Sequence, residues 1–365
     1  MFADQSQSDH RPELLSPIDI HCHGVGSYDF ARPMDLDFVA INARLHAKRL
    51  RAILTLFVDR TMLSELVETC RGFQTLVAHG EVPNILGLAL EGPLTSTPGG
   101  TPSRCHWVPS CDEWNTLASL GRCGLRYIVL SPDADPNPTA TQRYPKSIGW
   151  IVELLLDLSV MPALGHFSKL NPEASARTVD QVLNIVARRQ QGPIFTDHLF
   201  NDMPLAFKHA WRTREELASR NGDISDLAME TWTRANLAQK LGPVPAALIE
   251  GAYAGLVRIS MNFDGAHVDH AICKRIVKIL GSDRIMLMTD NITADVIDGT
   301  TLVKSATSPL LYQPNGVVAG SGSDAWVQAG NMARMGFSHF DIYWLCQGTA
   351  EVALGINASG PHDEQ

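Results

Sequence analysis

The sequence predicts a closed (β/α)8 TIM barrel, an α/β fold, on three observations. Eight short apolar, β-rich runs recur along the chain, stretches with helical spacing separate them, and charged or imidazole residues stand at the ends of most of the runs. Alternating β and α signals indicate βα units and a parallel sheet, and eight such units suit a barrel. An open doubly wound sheet is the structural alternative. It is disfavoured because no glycine-rich dinucleotide fingerprint follows the first run.

The elements follow in order. Residues 18–23 (IDIHCH) carry His21 and His23 at period two, a spacing that a strand aims at one face. Residues 52–58 (AILTLFV) and 85–91 (ILGLALE) are the second and third runs, the third ending in Glu91. Residues 125–131 (LRYIVLS) are the fourth, and YPKSIGWIVELLLDL has helical spacing behind them. Residues 162–166 (PALGH) end in His166, and PEASARTVDQVLNIVARR reads as the next helix. Residues 194–198 (IFTDH) end in His198, and residues 256–263 (LVRISMNF) lead into Asp264 and His267. In VDHAICKRIVKIL, Ile272, Ile276, Ile279 and Leu280 fall on one helical face. Residues 284–290 (RIMLMTD) close the series at Asp290.

Parallel barrel strands bring all these ends to one mouth, where barrel enzymes keep their chemistry. A single histidine after a strand is ordinarily a satisfied structural residue, and a single aspartate there an N-cap. Four histidines, a glutamate and an aspartate on five strand ends are a different matter: together they form an N/O ligand set for zinc or a similar divalent ion.

Composition bounds the rest. The chain has 365 residues, 45% of them hydrophobic, and a formal charge of −9 from 30 Lys plus Arg and 39 Asp plus Glu. That is enough apolar material for one large α/β domain. The acidic balance and the lack of a basic stripe argue against a nucleic-acid partner. No apolar run is long enough to span a bilayer. The polar start, MFADQSQSDHRPELLSP, lacks an apolar signal segment, and the 7 cysteines show no CxxC pairing; both point to a reduced, cytoplasmic protein. The expected organisation is an N-terminal tail at 1–16, a barrel over 17–356 with a helical insertion near 205–250, and a C-terminal tail at 357–365.

The motifs also carry a resemblance. HCHG at His21, LEGP at Leu90, GHFS at Gly165, HLFNDM at His198, DGAH at Asp264, MTD at Met288 and VAGS at Val318 stand in the order of the N-acetylglucosamine-6-phosphate deacetylases. This family belongs to the metal-dependent amidohydrolase superfamily. The resemblance runs from about residue 18 to residue 355. It implies that His21 and His23 bind one metal ion, that His166 and His198 bind the other, and that Glu91 ligates and bridges when two are present. It implies that Asp290 is the catalytic acid/base and also approaches the first ion. One ion or two is left open, as is the metal: zinc first, with Fe2+, Mn2+ or Co2+ suited by the same donors. Substrate contacts are expected from His106, Asn201, Asp202 and His267, and from His209, which occupies the place of a phosphate-clamping arginine. Lys208, Arg212 and Arg214 lie near that position.

The implied activity is hydrolysis of an N-acyl amide, N-acetyl first, on an amino sugar or related small molecule. Another C–N hydrolase of the superfamily, such as a cyclic amide hydrolase, is the alternative. A non-catalytic sugar-binding barrel ranks lower, because no ligand position is lost. The sequence departs from the family in three respects. Only 20 residues precede His21, so the family's flanking small β-domain is expected to be missing or vestigial and a homodimer to cover that face. Asp202 brings negative charge where a sugar phosphate would sit. The segment between Met203 and Asp264 is long, which reads as added helices at the pocket rim.

Overall fold

The structure, a computed structural model, describes residues 15–134, 147–207 and 224–356. Eight parallel strands hydrogen-bond in chain order: β1 (Ile18–Cys22), β2 (Arg51–Leu56), β3 (Ile85–Glu91), β4 (Leu125–Leu130), β5 (Met161–Leu164), β6 (Ile194–His198), β7 (Val257–Met261) and β8 (Ile285–Leu287). The sheet closes beyond β8, where the chain meets β1. Asp290 N donates to His21 O at 3.0 Å, and His23 N donates to Asn291 O at 2.7 Å. Cys22 and Asn291 form a parallel bridge. Buried Asp19 ties the same seam, accepting Thr289 N at 3.1 Å on Oδ1 and the Thr289 hydroxyl on Oδ2. The expected (β/α)8 barrel is therefore present, with strand ends differing from the sequence reading by up to three residues.

Helices α1 (Phe38–Ala47), α2 (Leu63–Ala78), α3 (Cys111–Ser119), α4 (Ile148–Asp157), α5 (Pro172–Arg189), α6 (Pro243–Tyr253), α7 (His270–Leu280) and α8 (Ala325–Arg334) follow the strands one by one. Their starts are chemically marked. Asp37, Ser147, Asn171, Asp269 and Asp324 each accept a first-turn amide, and Ser110 with Glu113 forms a capping box. On α7, Ile272, Ile276 and Leu280 are buried as the spacing predicts, and Ile279 is half-buried.

Two apolar layers result. Ile18, Ile20, Ile53, Tyr127, Phe195 and Met286 are among the residues filling the barrel interior. A larger core packs the outward strand faces against the helices. The base of the N-terminal tail belongs to the packed body, since Leu15 is buried and Ser16 N donates to Gln347 Oε1 at 2.8 Å.

Part of the expected insertion, residues 208–223, lies outside the described residues. Within the remainder, α6 serves as the barrel's sixth helix. A Cβ on its Gly251 would stand 2.6 Å from Leu183 of α5 and 3.0 Å from Val257 of β7. The added material is thus confined to residues before α6, including short turns at Ile224–Leu227, Met229–Thr231 and Arg234–Asn236. Arg275 of α7 anchors them, donating to Glu230 O at 3.0 Å and to Trp232 O. Among the described residues, the antiparallel strands outside the barrel are short. After β8 they comprise a pair at Val296–Ile297 and Thr300–Thr301 and a three-stranded sheet of Val303–Lys304, Leu310–Tyr312 and Val318–Ser321.

Candidate metal centre

The site is built at the C-terminal ends of the strands. In β1 a break in pairing register falls between Asp19 and Cys22. Ile18 and Ile20 point into the barrel, so strict alternation would turn His21 outward. The irregularity instead sends Cys22 outward and both histidines inward. His23 stacks on Phe57 with ring centroids 4.3 Å apart and donates from Nδ1 to Thr55 O at 3.0 Å. Its Nε2 therefore faces the site, 2.9 Å from Glu91 Oε2 and 3.2 Å from Asp290 Oδ1. His21 Nε2 stands 3.1 Å from the same Glu91 oxygen. Its Nδ1 lies 3.2 Å from Tyr127 Oη, whose own proton goes to Ile20 O at 2.6 Å.

A second group adjoins the first. His166 donates from Nδ1 to Thr97 O at 3.0 Å, which leaves Nε2 3.2 Å from Glu91 Oε1 and 3.2 Å from Asp197 Oδ2. His198 Nε2 approaches the same Asp197 oxygen at 3.3 Å. Glu91 thus gives Oε2 to one group and Oε1 to the other, and the Thr101 hydroxyl steadies Oε1 at 2.8 Å. Asp290 has a left-handed backbone, φ 51°, and its carbonyl packs so tightly on the VAGS strand that a Cβ on Gly320 would stand 2.5 Å from it. Its Oδ2 lies 3.1 Å from His267 Nε2, and His267 is fixed from behind by Asp264, whose Oδ2 accepts from Nδ1 at 2.8 Å.

Electrostatics follow from this crowding. Burial opposes the charge on Asp290, but His23 and His267 hold its carboxyl far below the usual carboxylate range. Burial likewise opposes charge on His23 and His267, yet the carboxylates, Glu91 and Asp264 foremost, push both imidazoles up to about 10. Glu91 is kept ionised against burial by His23, His166 and His21. Three buried carboxylates, Glu91, Asp197 and Asp290, must be balanced by positive charge.

Protons on histidine supply that balance in the metal-free protein, and divalent cations would replace them. The donors fit a cation. His21, His23, Glu91 and Asp290 offer ligand atoms within 4.8 Å of one another, and so do His166, Asp197 and His198. Both Asp197 oxygens and His166 Nε2 are buried without a hydrogen bond. Asp197 is the residue that the sequence reading missed. The available signal was an aspartate inside the wholly buried strand IFTDH.

A cleft opens onto Glu91, His198 and Asp290. Asn201, Asp202 and His267, expected to touch substrate, line it, as does Lys169. Lys169 Nζ stands 4.0 Å from Asp202 Oδ1, and Asn201 donates to Asn262 Oδ1 at 3.3 Å. Gly99, with φ 56°, packs against both His166 and Asp202; a Cβ there would stand 2.7 Å and 2.4 Å from them. His106 is not among the lining residues. It is exposed, with Nε2 2.6 Å from Thr95 O. His209, with Lys208, Arg212 and Arg214, lies outside the described residues.

No family model matches the sequence, and no curated protein matches it. Solved structures do match. N-Acetyl-D-glucosamine-6-phosphate deacetylase from Mycobacterium smegmatis is 20% identical with a TM-score of 0.65, over 94% of this chain and 79% of that one. The Pasteurella multocida deacetylase is 17% identical with a TM-score of 0.68, over 94% and 76%. The Thermotoga maritima deacetylase is 17% identical with a TM-score of 0.63, over 93% and 78%. The resemblance read from the motifs is therefore borne out in the fold: over nearly its whole length this chain is similar to the N-acetylglucosamine-6-phosphate deacetylases.

Proposed function

We propose that the protein is a metal-dependent hydrolase of the amidohydrolase superfamily. In this reading it removes an N-acyl group, N-acetyl first, from an amino sugar, an amino sugar phosphate or a related small molecule. The observation that carries the reading is Glu91, which offers one oxygen to each of two histidine groups beside Asp290, at the floor of an open cleft. Zinc is the first choice of ion for these donors.

An amide carbonyl is a poor electrophile and water a poor nucleophile. A bound divalent ion supplies a polarised carbonyl and a water whose pKa falls from about 16 to about 7. The chain's own residues do the rest. Asp264 fixes His267, and His267 orients the Asp290 carboxylate through Oδ2. Asp290, held ionised, takes a proton from the attacking water and returns it to the nitrogen as the C–N bond breaks. Acid and free amine leave. Asn201, Asp202 and Lys169 face the part of the cleft where the remainder of the substrate would lie.

The test is acetate release by the zinc-loaded full chain from a panel of N-acetylated amino sugars, with and without 6-phosphate. Turnover of any member supports the reading, and turnover of phosphorylated members alone assigns the substrate as a sugar phosphate despite Asp202. Silence across the panel and across N-acetylated and cyclic amides overturns it.

A further inference from the structure

We infer that Asp197 is a ligand of a second cation, held with His166, His198 and Glu91, so that the loaded mouth carries two ions and three carboxylates. The inference rests on the metal-dependent reading above and adds to it the number of ions and a residue.

Asp197 is 1% exposed, neither of its oxygens has a hydrogen bond, and the groups that face it are the imidazoles of His166, His198 and His21 at 3.2, 3.3 and 3.4 Å. A carboxylate stripped of water needs compensation, and among the described residues only imidazole nitrogens supply it, without hydrogen-bond geometry. The chain also makes room for this one. Asp197 and His198 are neighbours, so regular alternation would send them to opposite faces of β6. The pairing of β6 with β7 shifts register between Phe195 and His198, and both side chains reach the mouth. On β5's side, Gly165 leaves the space. A Cβ there would stand 2.4 Å from Asp197 Cβ and 2.8 Å from Oδ2.

The surroundings of His166 Nε2 point to a cation. With the Nδ1 proton of His166 given to Thr97 O, its Nε2 faces both Asp197 Oδ2 and Glu91 Oε1, each at 3.2 Å. Two buried carboxylates converging on one nitrogen need positive charge between them. A proton on Nε2 could serve one oxygen at a time, and Nε2 makes no bond of hydrogen-bond geometry to either. A cation satisfies His166, His198 and both acids at once.

The competing role, orienting His21, is filled otherwise. His21 Nδ1 lies 3.4 Å from Asp197 Oδ1 but 3.2 Å from Tyr127 Oη, which is left as an acceptor because its own proton is given to Ile20 O.

The experiment is metal analysis of the full chain, stripped by chelator, reloaded with Zn2+ alone and desalted, for the unmodified protein and for Asp197→Asn. The expected result is two zinc ions per chain in the unmodified protein and one in a folded Asp197→Asn variant, with the affinity of the retained ion unchanged within about threefold. One ion in the unmodified chain, or two in the variant with unaltered affinities, overturns the inference and leaves the hydrolase reading standing. No zinc in the unmodified chain overturns both. Should the variant fail to fold, anomalous diffraction from zinc-loaded crystals of the unmodified chain decides. An ion about 2.0–2.2 Å from an Asp197 oxygen supports the inference. An ion on His166 and His198 with Asp197 farther than about 3 Å away overturns it.

Discussion

Asp290→Asn separates chemistry from metal binding. Asp290 stands with Oδ1 3.2 Å from His23 Nε2 and Oδ2 3.1 Å from His267 Nε2, at 7% exposure. Asparagine has the same shape and packs in the same space, but its neutral amide cannot take a proton from water. A positioned acid/base contributes about 10²–10⁴-fold to the rate. At about 1.4 kcal/mol per tenfold, that is about 3–6 kcal/mol of barrier. His21, His23, Glu91, His166 and His198 all remain as donors, so the ions stay. The assay is kcat from acetate release, with metal content measured on the same sample. Expected are unchanged zinc and a kcat lower by at least a hundredfold. A kcat within about threefold of the unmodified enzyme, at equal zinc, refutes the acid/base role.

Further outcomes are expected. In the chelated protein the imidazoles of His23 and His267 are raised from 6.5 to about 10. Their contribution to stability is complete below pH about 6.5 and is lost as pH rises through about 10. The melting temperature of the metal-free protein should therefore fall across that window, and a flat or rising curve would contradict the ion-pair cluster. Burial pushes the thiols of Cys70 and Cys105 up to about 12, and Cys22, Cys273 and Cys346 are buried as well. A disulfide reagent at pH 8 should react rapidly with Cys111 and Cys123 alone; more than two fast thiols would contradict the packing. Gly165→Ala forces a Cβ to 2.4 Å from Asp197, so the aspartate must move. We expect the variant to bind less zinc than the unmodified chain, and equal zinc at equal affinity would show that this approach is not needed.

Much of the fold was legible because its strands are short, apolar and β-branched and its helices have a clear apolar face. α5 could be read end to end, since Pro172 sits in the first turn behind the Asn171 cap and Gln190 closes it in a left-handed conformation. The barrel mouth was legible for a simpler reason: His, Glu and Asp at the ends of buried strands have few explanations besides a site. What periodicity could not supply were the two register breaks. The first, in β1, lets Ile20 and His21 share the interior. The second, in β6, brings Asp197 to the mouth beside His198, and strict alternation hid it. The partnership of His267 with Asp290 was equally invisible, because it depends on a turn held by Asp264, whose Oδ1 accepts the amides of Ala266 and His267 at 2.9 and 2.7 Å. The sixth helix was read as part of an insertion because its packing on Leu183 and Val257 is tertiary.

Dependence on metal is the most direct measurement. The full chain would be purified without added metal, analysed for bound ions, stripped with chelator, and assayed for acetate release before and after zinc is returned. A metal-dependent hydrolase built on Glu91 and its two histidine groups should carry close to stoichiometric divalent ion, lose turnover on stripping and recover it on reloading. A chain that neither carries nor takes up a divalent ion, or whose turnover is indifferent to its removal, would contradict it.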